Sequence, residues 1–129
     1  MTQDAKRRDA TVIAVVDDDN AFRGAVETLL RSSGYTARTF CSAREFLDAY
    51  VPAEFQCLIS DIQMPGMSGL EMHERLTSMG ARLPVIFITG HSGEASALGA
   101  DQRVVDVLSK PCDADKLLDC IKLALLHQP

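Results

Sequence analysis

The chain has 129 residues, enough for one domain and its core but not for two. Hydrophobic residues make up 47% and charged residues 24%, the balance of a folded domain rather than of a disordered segment. A formal net charge of -5 gives no basic field for gripping DNA or an anionic membrane, and no run reaches the roughly 18 apolar residues of a membrane span.

The polar residues 1–10, with the basic run Lys6-Arg7-Arg8, read as a flexible tail before a domain over 11–129. They lack the apolar core of a signal peptide, so the expected address is the cytoplasm. Cys41, Cys57, Cys112 and Cys120 form no C-x-x-C pair, which favours reduced packing thiols over a zinc or redox centre.

Val12 to Val16 is a continuous β-branched run, as in a strand buried on both faces. Asn20 to Ser33 carries Phe22, Val26, Leu29 and Leu30 at helical spacing and ends before Gly34. Tyr35 to Phe40 is a less apolar strand, suited to a sheet edge. Ser42 and Glu45 have the spacing of a capping box ahead of Phe46, Leu47 and Tyr50. Cys57 to Ser60 is a third strand. A second capping box, Ser68 with Glu71, opens a helix with Leu70, Met72 and Leu76 that closes near Gly80.

After Pro84, Val85 to Ile88 is the clearest strand in the chain. From His91 to Arg103 the pattern is broken by Gly93 and Gly99 and gives at most a short helix. Val104 to Leu108 is a fifth strand, and Asp113 can cap a last helix with the stripe Leu117, Leu118, Ile121, Leu125 and Leu126. Five βα units with right-handed crossovers predict a doubly wound α/β fold: a five-stranded parallel sheet in the order 2-1-3-4-5 with helices on both faces.

The informative polar residues fall at strand ends: Asp17-Asp18-Asp19, Asp61, Thr89 and Lys110. In an open α/β sheet such ends share one crevice where the strand order reverses. Capping alone explains single aspartates, and Asp19 reads as such a cap. It does not explain polar residues at four strand ends together. Three carboxylates in one crevice need a counter-charge, and an all-oxygen set favours Mg²⁺ or Mn²⁺ over zinc. A carboxylate nucleophile, a metal, a lysine and a hydroxyl together suit a transferring phosphoryl group.

The segments Val15-Val16-Asp17-Asp18-Asp19, the D-x-x-M-P-G-M-S-G run from Asp61 to Gly69, Ile88-Thr89-Gly90-His91 and Lys110-Pro111 resemble a bacterial response-regulator receiver domain. The I-T-G-H run resembles the nitrogen-fixation-type transcription regulators. This resemblance implies that Asp61 receives phosphate from a sensor histidine kinase and switches a downstream effector domain or protein. Asp17, Asp18, Asp61 and the Gln63 backbone carbonyl would hold Mg²⁺. Thr89 and Lys110 would follow the phosphoryl oxygens, Gln63 and His91 would tune hydrolysis, and Lys110-Pro111 would be cis. No classical enzyme activity is implied beyond phosphotransfer and autodephosphorylation. A phosphorylation-dependent homodimer is a further expectation; direct nucleic-acid or membrane binding is not. Two features depart from the pattern. Val107 stands where the family usually has an aromatic switch residue, and the segment from His91 lacks the usual M-x-x-G-A. Both imply an altered readout. The competing readings are a degenerate receiver that only binds partners and a Mg²⁺-dependent phosphohydrolase.

Overall fold

In the computed structural model, which describes residues 11–90 and 103–126, the apolar bursts are strands. They are β1 (Val12–Val16), β2 (Thr36–Phe40), β3 (Cys57–Asp61), β4 (Val85–Thr89) and β5 (Val104–Ser109). The described helices are α1 (Asn20–Ser32), α2 (Ala43–Ala49), α3 (Gly69–Ser78) and α4 (Ala114–Leu126). The expected tail over 1–10, the stretch from His91 to residue 102, and His127 lie outside the described residues.

All strand pairs are parallel, in the order β2-β1-β3-β4-β5, as the alternation of apolar bursts and helices predicts. The less apolar β2 is an edge, where one face of its backbone needs no partner. The pleat divides β1 between two cores. Ile13 and Val15 join Val26 and Leu30 of α1 and Leu117 and Ile121 of α4 on one face. Ala14 and Val16 join Phe46 of α2 and Met72 and Leu76 of α3 on the other. Phe40, Phe46 and Phe55 meet edge-on there, with centroids 5.2 to 6.1 Å apart.

Each described helix begins where a side chain takes up its free N–H groups. Asp19 Oδ1 accepts from the N–H groups of Ala21 (3.0 Å) and Phe22 (3.2 Å), the cap read from sequence. Ser68 and Glu71 form the full capping box. The Ser42 box is only half formed. Ser42 Oγ accepts from Glu45 N–H, but the Glu45 carboxylate turns to the N–H of Cys41 at 3.1 Å. Asp113 Oδ1 accepts from Asp115 N–H at 3.3 Å.

The stripe of α4 is also corrected. Leu117, Cys120, Ile121 and Ala124 are buried, Leu118 and Leu125 only flank the core, and Leu126 is 77% exposed. Leu117 and Ile121 of the expected stripe are thus in the core, while Leu126 is not and Cys120 and Ala124 join instead. Cys41 is exposed, unlike the packing thiol expected, whereas Cys57 and Cys120 are buried.

Burial pushes the Cys57 thiol up to about 12 from its ordinary 9.0. A group raised on folding stabilises the fold fully below its unfolded value and loses that contribution as pH climbs through the folded one. Stability is therefore expected to fall between pH 9 and 12 by up to about 1.4 kcal/mol per pH unit from Cys57. Urea midpoints of Cys57→Val against the wild type over this window should show a flatter alkaline limb in the variant. Parallel limbs would mean that the thiolate forms at no cost.

Candidate functional site: an acidic crevice at the strand ends

The register of the sheet sets the crevice. Val16 is opposite Ser60, Asp61 opposite Ile88, and Thr89 opposite Ser109, so β1, β3, β4 and β5 end almost level. Asp61 is the last residue of β3 and Thr89 the last of β4, while Asp17 and Lys110 directly follow β1 and β5. The strand order reverses between β1 and β3, the point at which open α/β sheets place their ligand crevice.

Asp17, Asp61 and Thr89 are buried, at 1%, 8% and 1% exposure, while Asp18 is exposed. One carboxylate oxygen from each of Asp17, Asp18 and Asp61 lies within 4.8 Å of the others. Lys110 Nζ stands 2.9 Å from Asp17 Oδ2 and 3.0 Å from Asp61 Oδ2. Three carboxylates against one ammonium leave the cluster formally two charges negative.

The backbone holds these groups in place. Asp17 Oδ1 accepts from Asp19 N–H at 2.9 Å, and Asp61 Oδ1 from Gln63 N–H at 3.2 Å. Arg23, on the first turn of α1, donates to the Asp17 carbonyl at 2.6 Å and also bonds Asn20. Lys110 N–H donates to the Thr89 carbonyl at 2.9 Å, tying the ends of β4 and β5 together. The Lys110-Pro111 peptide is cis, as the resemblance implied. Lys110 Nζ also sits 4.5 Å from the centre of the Phe22 ring.

Burial raises the Asp17 carboxyl above its ordinary value, against the lowering effects of Asp19 N–H and the Lys110 ammonium. For Lys110, burial acts downward, but its pairing with the Asp17 and Asp61 carboxylates outweighs that and holds it above its ordinary value. Asp17 is thus the strained member of the cluster. Its Oδ2 is buried without a hydrogen bond, because the 2.9 Å contact to Lys110 is an ion pair out of hydrogen-bond alignment.

That oxygen gives the test of fit for a metal. A buried carboxylate oxygen without a hydrogen bond, an exposed carboxylate beside it and a third at the end of β3 form an all-oxygen set with surplus negative charge. Such a set fits Mg²⁺, which Asp17, Asp18 and Asp61 would hold.

Of the residues singled out from sequence, Asp17, Asp18, Asp61 and Lys110 are brought together, with Thr89 at the adjoining strand end. Gln63 is exposed beside Asp61. Val107 is half-buried in β5, opposite Phe87, and packs against the α2–α3 core. His91 lies outside the described residues. Three contributors were missed. Phe22 read as one more member of an apolar stripe, and Arg23 was not singled out. Gly69 was noted only as part of a motif; a Cβ there would lie 2.1 Å from the Asp61 carbonyl oxygen.

This fold and site define a doubly wound α/β module with an acidic crevice at its switch point. The chain belongs to the response regulator receiver domain family, whose profile matches residues 13–122. It is therefore a receiver domain of the two-component type. It is 40% identical over 121 residues to the response regulator protein TodT of Pseudomonas putida, covering 93% of this chain and 53% of that protein. It is also 40% identical over 118 residues to the transcriptional regulatory protein FixJ of Azorhizobium caulinodans, covering 88% and 54%. The chain thus spans about half the length of these curated relatives. Among solved structures, a receiver domain protein of Clostridium thermocellum superposes with a TM-score of 0.83 at 25% identity, covering 91% of this chain and 95% of that one. TrrA of Thermotoga maritima, solved in complex with Mg²⁺–BeF, gives 0.78 at 27% identity, covering 89% and 99%. Among the described residues, no helix is long and apolar enough to cross a membrane.

Proposed function

We propose that this receiver accepts a phosphoryl group on Asp61 from the phosphohistidine of a sensor kinase and so switches a downstream effector. The carrying observation is the position of Asp61: buried at the end of β3, with Oδ2 3.0 Å from Lys110 and its carboxylate clustered with those of Asp17 and Asp18. A carboxylate oxygen of Asp61 attacks phosphorus as the P–N bond to imidazole breaks. The bonding pair stays on the imidazole nitrogen, and Asp61 becomes an acyl phosphate. Water later attacks phosphorus and returns the carboxylate and inorganic phosphate, so the chain acts only on its own phosphoryl group.

Asp17, Asp18, Asp61 and the Gln63 carbonyl would hold Mg²⁺ or Mn²⁺, which supplies positive charge against the phosphoryl oxygens. Lys110 supplies a second cation, and the Thr89 hydroxyl a donor at the end of β4. Gln63 and His91 flank the crevice in sequence and are the residues assigned to tuning water's access. Val107 offers no ring to swing, so the message leaves by another route than an aromatic rotation at that position. The kinase, the effector, a phosphorylation-dependent homodimer and the cytoplasmic address belong to the same reading; relatives that are regulators about twice as long support the effector. The complex of TrrA with Mg²⁺–BeF supports the metal and the phosphoryl site by similarity.

The test is labelling by a small phosphodonor, acetyl phosphate, with Mg²⁺, read by intact mass. The wild type is expected to gain one phosphoryl group and Asp61→Asn none. Equal label on Asp61→Asn would sink the assignment. Failure of the wild type to bind Mg²⁺ at millimolar levels would favour a partner-binding module that is never phosphorylated.

A further inference from the structure

We propose that Phe22 is a positioning residue of this site: its ring is the face on which the Lys110 ammonium is held within reach of Asp61. The proposal rests on the reading of Asp61 as phosphoacceptor.

Lysine carries its charge on a flexible four-carbon stem, so something must fix where the ammonium stands. Here three groups do so: Asp17 Oδ2 at 2.9 Å, Asp61 Oδ2 at 3.0 Å, and the Phe22 ring centre at 4.5 Å. The two carboxylates are unreliable anchors during the reaction. Both belong to the oxygen cluster that a divalent cation would share, and the Asp61 carboxylate gives up its own charge to the phosphoryl group when the acyl phosphate forms. The ring does not change. Its negative face attracts a cation throughout, offers no ligand atom to a metal and cannot be esterified.

The ring is also registered to the loop that carries the carboxylates. Asp19 Oδ1 accepts from Phe22 N–H at 3.2 Å, and Asp19 N–H in turn donates to Asp17 Oδ1 at 2.9 Å. Two hydrogen bonds thus join the backbone of Phe22 to the carboxylate that pairs with Lys110. A leucine at position 22 would still pack beside the α1–α4 core, where Phe22 is half-buried. It would offer the ammonium nothing.

Phe22→Leu and Phe22→Tyr separate this role from plain packing. In the wild type without metal or phosphodonor, the ε-methylene protons of Lys110 are expected to be shifted upfield by the ring current. The shift should vanish in Phe22→Leu and persist in Phe22→Tyr. With acetyl phosphate and Mg²⁺, labelling is expected to slow about fivefold in Phe22→Leu and by less than about twofold in Phe22→Tyr. If leucine unfolds the chain, Phe22→Met, a flexible side chain without a ring, reads the same two quantities. Ordinary Lys110 shifts in the wild type would overturn the proposal. So would wild-type labelling rates in a folded, ringless variant. An unlabelled wild type that keeps the upfield shift would overturn the Asp61 reading while leaving the ring contact standing.

Discussion

Gly69→Ala is expected to destabilise the domain by about 3 kcal/mol, and to reduce Asp61 labelling even where the protein remains folded. The added Cβ would lie 2.1 Å from the Asp61 carbonyl oxygen and 3.1 Å from both the Asp61 carbonyl carbon and Ile62 Cα. All three are backbone atoms, so no rotamer change relieves the overlap. Either the start of α3 lifts, breaking the 2.8 Å bond from Gly69 N–H to the Ile62 carbonyl, or the end of β3 moves and takes Asp61 with it. A displacement of that size is large against the 3.0 Å contact between Asp61 and Lys110.

Gly24→Ala is the matched control. Gly24 lies exposed in the interior of α1, with nothing within 4 Å of a built Cβ. Alanine there is expected to stabilise by about 0.5 to 1 kcal/mol, because it removes backbone freedom from the unfolded chain. Urea unfolding of the two variants should move midpoints in opposite directions. A neutral Gly69→Ala would mean that helix and strand end are not in the contact described.

The close approach of Gly69 shows which parts of the molecule a sequence can reveal. Val12 to Val16 and Val85 to Ile88 were legible as strands because two-sided burial demands continuous β-branched runs. Once five such runs alternate with helices, topology rules leave few sheet orders, and in the order 2-1-3-4-5 the strand ends collect Asp17, Asp61, Thr89 and Lys110. Most of the proposed chemistry therefore followed from pattern. The supports did not. Gly69 spares Asp61 because two backbone segments pass close to each other, a fact of the chain path and not of composition.

Phe22 was hidden for a different reason. On a helical wheel it belongs to the same stripe as Val26 and Leu30, and only the return of β5 brings Lys110, 88 positions later, over its ring. Arg23 reaches back to a backbone carbonyl, which leaves no trace in side-chain spacing. In α4 the buried members include Cys120 and Ala124 beside Leu117 and Ile121, and a ranking by hydrophobic strength passes over the first two. Glu45 bonds Cys41 instead of Ser42, because the half-exposed turn before α2 leaves it a choice of N–H groups.

The other large effect concerns the ammonium itself. Lys110→Met is expected to lower stability without metal by about 2 kcal/mol, below the 3–5 kcal/mol of a fully buried broken pair, because the lysine is partly solvated. Its loss leaves the buried Asp17 carboxylate facing Asp61 with no cation between them. Asp17 is already raised by burial and would lose one of the groups that lower it. A carboxyl raised on folding favours the native state at pH below its unfolded value, near 3.8, and that advantage is lost as pH rises through the folded value. The variant should therefore lose more stability than the wild type on going from acid to neutral pH. Mg²⁺ supplies the missing charge, so its affinity should rise about tenfold in Lys110→Met, and a given concentration should raise the thermal midpoint further than in the wild type. Labelling of Asp61 should nevertheless fall by roughly 10- to 100-fold, because the lysine's charge acts on the phosphoryl oxygens, which a tighter metal cannot replace at the same position. Thermal melts across a Mg²⁺ series, paired with acetyl phosphate labelling, measure both effects. Equal Mg²⁺ stabilisation of variant and wild type would show that ammonium and metal do not compete for the same carboxylates, and the crevice would then hold two separate charge sites.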